Sequence, residues 1–133
     1  MKLSRTVAYA LQATLQLAQS TPGDPVPCSQ LASQGRMPER FLLQILRNLV
    51  THGILHSTRG VEGGYALERS AQEITLLELI EAIEGPLTSM VPASEGLHVE
   101  SQEKLYEALN EVTSHARRDL SAVRLADLLP SKT

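Results

Sequence analysis

Tryptophan is absent from this 133-residue chain, and phenylalanine and cysteine each occur once. With so few aromatics, aliphatic residues must fill the core. The single thiol, Cys28, cannot close an internal disulfide, and it cannot hold an iron–sulfur cluster alone. A reducing, cytoplasmic setting follows as the default. No stretch is long and apolar enough to span a bilayer, so no membrane partner is expected. Lys2 and Arg5 precede an apolar stretch, as in a secretory leader. Gln12, Thr14 and Gln16 interrupt it, however, and Val7, Leu11, Leu15 and Ala18 recur at helical spacing.

Internal repeats and low-complexity tracts are missing too. So is any nucleophile–base–orienter set, and the glycine-rich segment Gly60–Tyr65 lacks the lysine and following helix of a phosphate loop. No catalytic residue is assigned and no enzyme is expected. His98 and His115 have no third ligand spaced to help them, so no metal site and no cofactor are expected. Cys28 precedes an expected helix start, a place that can lower a thiol pKa, but a partly buried small residue is the favoured reading.

What is present describes a globular chain: 42% apolar and 20% charged residues. The length fits one domain with a modest core, to which a partner chain could add burial. Net charge is −3, yet it is unevenly divided. Residues 1–69 hold seven Lys/Arg against four Asp/Glu, and residues 70–133 hold five against eleven. Local charge sets the field at a nucleic-acid contact, so the first half is a candidate DNA face. An ordinary uneven surface is the plain alternative.

Ser4 is placed to cap a first helix running to about Gln19. Thr21–Pro27 is turn chemistry. A short helix follows from about Ser29 to Gln34, broken by Gly35. Pro38 suits the first turn of the next helix. Phe41, Leu42, Ile45, Leu46 and Leu49 give that helix an apolar stripe, with Arg40, Gln44, Arg47 and Asn48 elsewhere on it, and Gly53 ends it. Ile54-Leu55 opens and Tyr65–Leu67 closes a β-hairpin, with Gly60, Gly63 and Gly64 at its tip beside Arg59. Thr75 and Glu78 have capping-box spacing. They start a helix carrying Leu76, Leu79, Ile80 and Ile83, which stops at Gly85-Pro86. Leu87–His98 reads as a loop. A long helix from about Ser101 to Val123 follows, then an apolar tail from Arg124 to Leu129. Leu105, Leu109, Val112, Ala116 and Leu120 form a seam on the long helix suited to packing between two copies of the chain.

The fold class expected is mainly α: a winged helix-turn-helix with a small β-hairpin wing and a long C-terminal dimerisation helix. The expected division is a DNA-binding unit over residues 1–86, then loop, dimerisation helix and tail over 87–133. Such a chain suits double-stranded DNA. The second helix of the pair fits the major groove, where Arg40 and Gln44 are candidate base readers. A glycine-rich tip brings backbone close to phosphates, and Arg59 there can enter a narrow minor groove. Lys2, Ser4, Arg5, Pro38, Phe41, Arg47, Gly60, Gly63, Gly64 and Tyr65 complete the candidate DNA-contact set. Lys2, Arg5 and Arg47 suit phosphates. Tyr65 either bonds a phosphate or braces the hairpin, and a purely structural turn is the equal alternative for the glycines.

In order along the chain, the motifs resemble those of the Rrf-two family of winged-helix transcription regulators (IscR / NsrR / CymR type). The resemblance is carried by Met1–Ser4, Tyr9–Leu11, Gln34-Gly35, Phe41-Leu42, Gln44, Leu46, Gly53, Leu55, Ser57, Arg59-Gly60, Gly63–Tyr65, Leu67, Ile74–Leu76, Ile80–Pro86 and Leu125–Leu128. It spans nearly the whole chain except Leu87–Glu100. The family implies a DNA-binding homodimer joined by the long helix. Three departures stand out. Cluster-binding members supply three cysteines from the loop that here has none, so this resembles a member without the cluster cysteines. Glu62 replaces a wing glycine. Leu43 stands where many members have glutamate. The alternative function is an interaction module, or a partner-controlled regulator, that kept the fold but lost autonomous DNA binding. A regulatory protein or small effector is compatible with the resemblance.

Overall fold

The structure, a computed structural model, describes residues 1–131. Its elements follow the order α1 (Arg5–Ala18), α2 (Cys28–Gly35), α3 (Glu39–Thr51), β1 (Leu55–Thr58), β2 (Gly64–Leu67), α4 (Leu76–Glu84) and α5 (Val99–Ala122), then a short 3-10 turn at Leu125–Leu128. This is the mainly α architecture that the periodicities predict, with one antiparallel hairpin.

Local chemistry sets most boundaries. The Ser4 hydroxyl accepts from the Val7 N–H at 3.2 Å and caps α1. The Thr75 hydroxyl accepts from the Glu78 N–H while the Glu78 carboxylate accepts from the Thr75 N–H, so the capping box at α4 is complete. The long helix begins two residues earlier than expected, at Val99, and α2 one earlier, at Cys28. Two further differences bear on the turn between α2 and α3. Pro38 lies outside α3 as its N-cap rather than in its first turn. Gly35 does not break α2 but is its last residue, and Arg36 makes the turn with φ 55° and ψ 47°. Gly35 is needed for space instead. A Cβ there would lie 2.5 Å from Gln12 Nε2 and 2.7 Å from Met37 Cε. The Gln12 amide donates to the Gly35 carbonyl at 2.6 Å, locking α2 against α1.

The core joins α1, α2, α3 and α4 around Leu42, Ile45, Leu46, Leu49, Ile54 and Leu79, all essentially buried. Phe41, expected in the apolar stripe, is instead 43% exposed and meets Tyr9 edge-on with ring centroids 6.0 Å apart. On α4 the buried face is Leu77, Leu79, Ile80 and Ala82, while Leu76 and Ile83 are only half-buried. The tail returns to this core. The Leu125 N–H donates to the Ile74 carbonyl at 2.9 Å, and the Leu125 side chain is buried.

Helix α5 is different. None of its residues is buried. A clamp ties its C-terminal half to the body: the Arg117 guanidinium donates to the Glu81 carboxylate and to the Leu87 carbonyl at 3.0 Å, and Glu81 accepts the Leu87 N–H at 2.8 Å. The Arg117 guanidinium holds the Glu81 carboxyl below its ordinary value of 4.5, outweighing partial burial. A lowered folded-state pKa stabilises the fold above that ordinary value, and the contribution is lost as pH falls through the folded value. Glu81→Gln is therefore expected to lower Tm by about 2–4 °C at neutral pH. The gap to the unmodified protein should close on acidification below 4.5. Thermal melts at both pH values check this, and a constant gap would remove the clamp's ionic contribution.

Candidate nucleic-acid interface

Helix α3 separates its functions by angle. Leu42, Ile45, Leu46 and Leu49 are buried against the body. Arg40, Gln44, Arg47 and Thr51, at i, i+4, i+7 and i+11, form a line on the opposite side and are all exposed. Glu39 in the first turn opposes the positive end of the helix dipole.

The hairpin stands beside α3. Ser57 pairs with Tyr65 and Thr58 with Gly64. A third segment extends it: the Val26 N–H donates to the Tyr65 carbonyl at 2.8 Å, and the Tyr65 N–H donates to the Val26 carbonyl at 2.9 Å. Pro25 and Pro27 flank Val26 and have no N–H to continue the ladder. The wing is thus anchored to the segment that leads into α2. Beyond it the tip is open. Arg59 and Glu62 are exposed, and Val61 is fully exposed.

Between α3 and the wing lies an open cleft of about 300 Å³ lined by Arg47, Val50, Thr51, Ser57 and Tyr65. It brings together Arg47 and Tyr65, two of the expected site residues. It adds Thr51 and Ser57, which were not among the expected site residues. Ser57 was detectable as the cross-strand partner of Tyr65, and Thr51 as the residue one helical turn beyond Arg47, whose carbonyl accepts from its Oγ1 at 3.0 Å. Tyr65 serves the hairpin through its backbone bonds to Val26, and it also lines this cleft.

Among the described residues, Lys2, Arg5, Arg36, Arg40, Arg47, Arg59, Arg118 and Arg124 have no carboxylate within 4.0 Å, whereas Arg69, Lys104 and Arg117 do. Six exposed cations in the first 59 residues are therefore free to meet an external anion. On the long helix, the expected seam residues Leu105, Leu109 and Val112 are exposed, and Ala116 and Leu120 are half-buried.

Cys28 sits in the first turn of α2, where the dipole would favour a thiolate. Burial pushes its pKa up instead, with the nearby Glu39 charge adding to the effect. Its thiol points to the Glu39 carbonyl at 3.7 Å. His98 caps α5, its Nδ1 accepting the Glu100 N–H at 3.2 Å. His115 lies near Glu111.

The family model described as "Rrf2: Iron-dependent Transcriptional regulator" matches residues 3–131. The Mycobacterium tuberculosis protein Rv1287, named as an HTH-type transcriptional regulator, is 40% identical over 90 residues, covering 68% of this chain and 56% of that protein. The match thus spans little more than half of that relative. The HTH-type transcriptional regulator IscR of Cereibacter sphaeroides is 30% identical over 138 residues, covering 99% of this chain and 89% of that protein. The solved structure of CymR (YrzC), the global cysteine regulator of B. subtilis, superimposes with a TM-score of 0.76 at 26% identity, covering 96% of this chain and 95% of that one.

The iron named in the family description does not fit the donors present here. The loop over residues 88–98 contributes no thiol, His98 is engaged as a helix cap, and Cys28 is a lone thiol whose pKa is raised. Among the described residues, no three His, Cys, Asp or Glu side chains gather where one ion could be held.

Proposed function

The chain belongs to the Rrf2 family of transcriptional regulators, and on that footing we propose that it reads duplex DNA as a homodimer, through α3 and the wing, without an iron–sulfur cluster. The observation that carries this is the free cationic surface. Arg40 and Arg47 project from α3 away from the core, Arg59 stands on the wing, and none has an acidic partner among the described residues. Arginine forks suit guanine edges and phosphates alike.

The roles divide by position. Arg40 and Gln44, toward the start of α3, read bases in the major groove. Arg47, Ser57 and Tyr65 line the cleft where a phosphate of the same strand is held. Arg59 enters the minor groove, where a narrow groove deepens the negative potential. Lys2, Ser4 and Arg5 contact the backbone at the start of α1. Residues 1–86 form the reading unit, and α5 joins two such units so that two half-sites about one helical turn apart are engaged together. The proposed setting is the cytoplasm; among the described residues no helix is long and apolar enough to cross a membrane.

One observation favours the rival interaction-module reading: Glu62 places an exposed negative charge on the wing tip. Titration of an operator and a scrambled duplex at two salt concentrations separates the readings. Affinity should fall steeply with salt as counterions are released. Arg59→Ala should weaken binding most on duplexes with a narrow minor groove. Arg40→Ala should relax base preference by about 1–3 kcal/mol if its contact is bidentate. Glu62→Gly should tighten binding to both duplexes alike, because it removes repulsion and adds no base contact. If the two arginine variants leave both affinities untouched, this face does not read DNA and the interaction module takes its place.

A further inference from the structure

We propose that Arg36, on the turn between α2 and α3, is a phosphate anchor for the reading helix, retained in a backbone conformation that glycine would adopt more cheaply. The inference deepens the DNA-reading proposal and rests on it.

The turn itself is well defined. Arg36 has φ 55° and is the only non-glycine with positive φ among the described residues. Its left-handed conformation lets the Met37 N–H reach back to the Ala32 carbonyl at 2.9 Å, a Schellman closure of α2, while the Met37 side chain is buried. Helices that end this way usually carry glycine at the left-handed position, because any Cβ crowds the following carbonyl. Here the neighbouring glycine, Gly35, is consumed by packing against Gln12 and Met37. The left-handed position therefore carries a side chain against local preference.

Nothing within the fold accounts for that side chain. Arg36 is exposed. Among the described residues its guanidinium has no carboxylate within 4.0 Å and no hydrogen-bond partner. Strained residues that make no internal contact tend to be kept for function. Its place points to one function. Pro38 caps α3 two residues later and the helix begins at Glu39, on the end that carries Arg40 and Gln44. A helix entering the major groove by its N-terminal end brings the preceding turn alongside the DNA strand, not over the base edges. A guanidinium there meets phosphate oxygens, with the fork geometry that a lysine lacks.

The test reads stability and binding on the same variants. Arg36→Gly relieves the left-handed strain and removes the cation. It should raise Tm by about 2–5 °C. It should weaken binding to specific and scrambled duplexes by the same factor, about 3–10-fold near 0.1 M salt, and reduce the salt slope by about 1. Arg36→Asn, which tolerates the left-handed region better than arginine but less well than glycine, should lose the same affinity with a smaller gain in Tm. Unchanged affinity and slope in both variants would overturn the proposal. So would a loss confined to the specific duplex, which would make Arg36 a base reader, or a lower Tm for Arg36→Gly. If the unmodified protein itself shows no salt-dependent binding to duplex DNA, the underlying DNA reading fails, and this inference fails with it.

Discussion

Replacing Leu109 and Val112 with lysine should leave a folded monomer that has lost about 10²–10⁴-fold in affinity for a two-half-site duplex, the factor that linkage of two binding units provides. The basis is the condition of α5. It runs for 24 residues with no buried position, whereas α3, of 13 residues, buries four leucine and isoleucine side chains. A helix of that length spans roughly 36 Å. Along it, Leu105, Leu109 and Val112 leave 43%, 38% and 65% of their surface exposed, and Tyr106 beside them leaves 48%. Apolar side chains repeating along one side of an otherwise polar helix mark a surface that packs against another molecule.

Folding and association respond differently to the two lysines. In the single chain both positions already face solvent, so the charges stay hydrated and the body, including the Arg117–Glu81 clamp, is untouched. In a dimer joined along this seam, up to four ammonium groups would be drawn out of water with no carboxylate assigned to meet them, which is prohibitive. Circular dichroism should therefore match the unmodified protein, while light scattering reports half the mass. Each monomer still carries one reading face, so weak, salt-sensitive binding to a single half-site should persist. A double variant that remains a stable dimer would place the interface elsewhere on the chain.

Most of this architecture was legible because it depends on short-range chemistry. The Ser4 cap, the Thr75–Glu78 capping box and the Leu42–Leu49 stripe each involve residues within eight positions of one another. The misreadings involve contacts between distant residues. Gly35 looked like a helix breaker, but its role is set by Gln12 on another helix. Phe41 looked like core, since an aromatic next to Leu42 continues an apolar stripe; it lies at the edge of that stripe and covers Tyr9 instead. Val26 lay in a segment dominated by turn residues, and only its pairing with Tyr65, 39 positions away, makes it a strand residue. Arg36 escaped notice for a related reason: glycine is the residue expected to mark a left-handed turn, and the glycine here is one position early. The exposure of Arg40, Gln44 and Arg47 was legible because it follows from the same helical period that buries Leu42, Ile45, Leu46 and Leu49.

The wing glycines looked interchangeable in the sequence, and the structure makes them unequal. Gly64→Ala should be strongly destabilising, by roughly 2–4 kcal/mol, and should abolish specific DNA binding; Gly60→Ala should cost only about 1–2 kcal/mol of local strain. Both have positive φ, 152° at Gly64 and 113° at Gly60, so both favour glycine. They differ in what surrounds them. A Cβ on Gly60 would meet nothing within 4 Å, because the tip is open. A Cβ on Gly64 would overlap the Val26 carbonyl carbon and lie 2.5 Å from the Val26 oxygen and 2.7 Å from the Pro27 nitrogen. These are backbone atoms and cannot rotate away. Relief requires separating Val26 from Tyr65, which breaks the paired hydrogen bonds of 2.8 and 2.9 Å. Those bonds fix the hairpin to the segment entering α2, and Tyr65 also lines the cleft with Arg47 and Ser57. Losing them frees the wing from the segment entering α2, so Arg59 and α3 would no longer approach one duplex in a fixed relation. Thermal melts and operator titrations on the two variants check the order. Equal losses, or a Gly64→Ala protein with unmodified Tm and affinity, would mean that the Val26 bridge does not hold the wing in place.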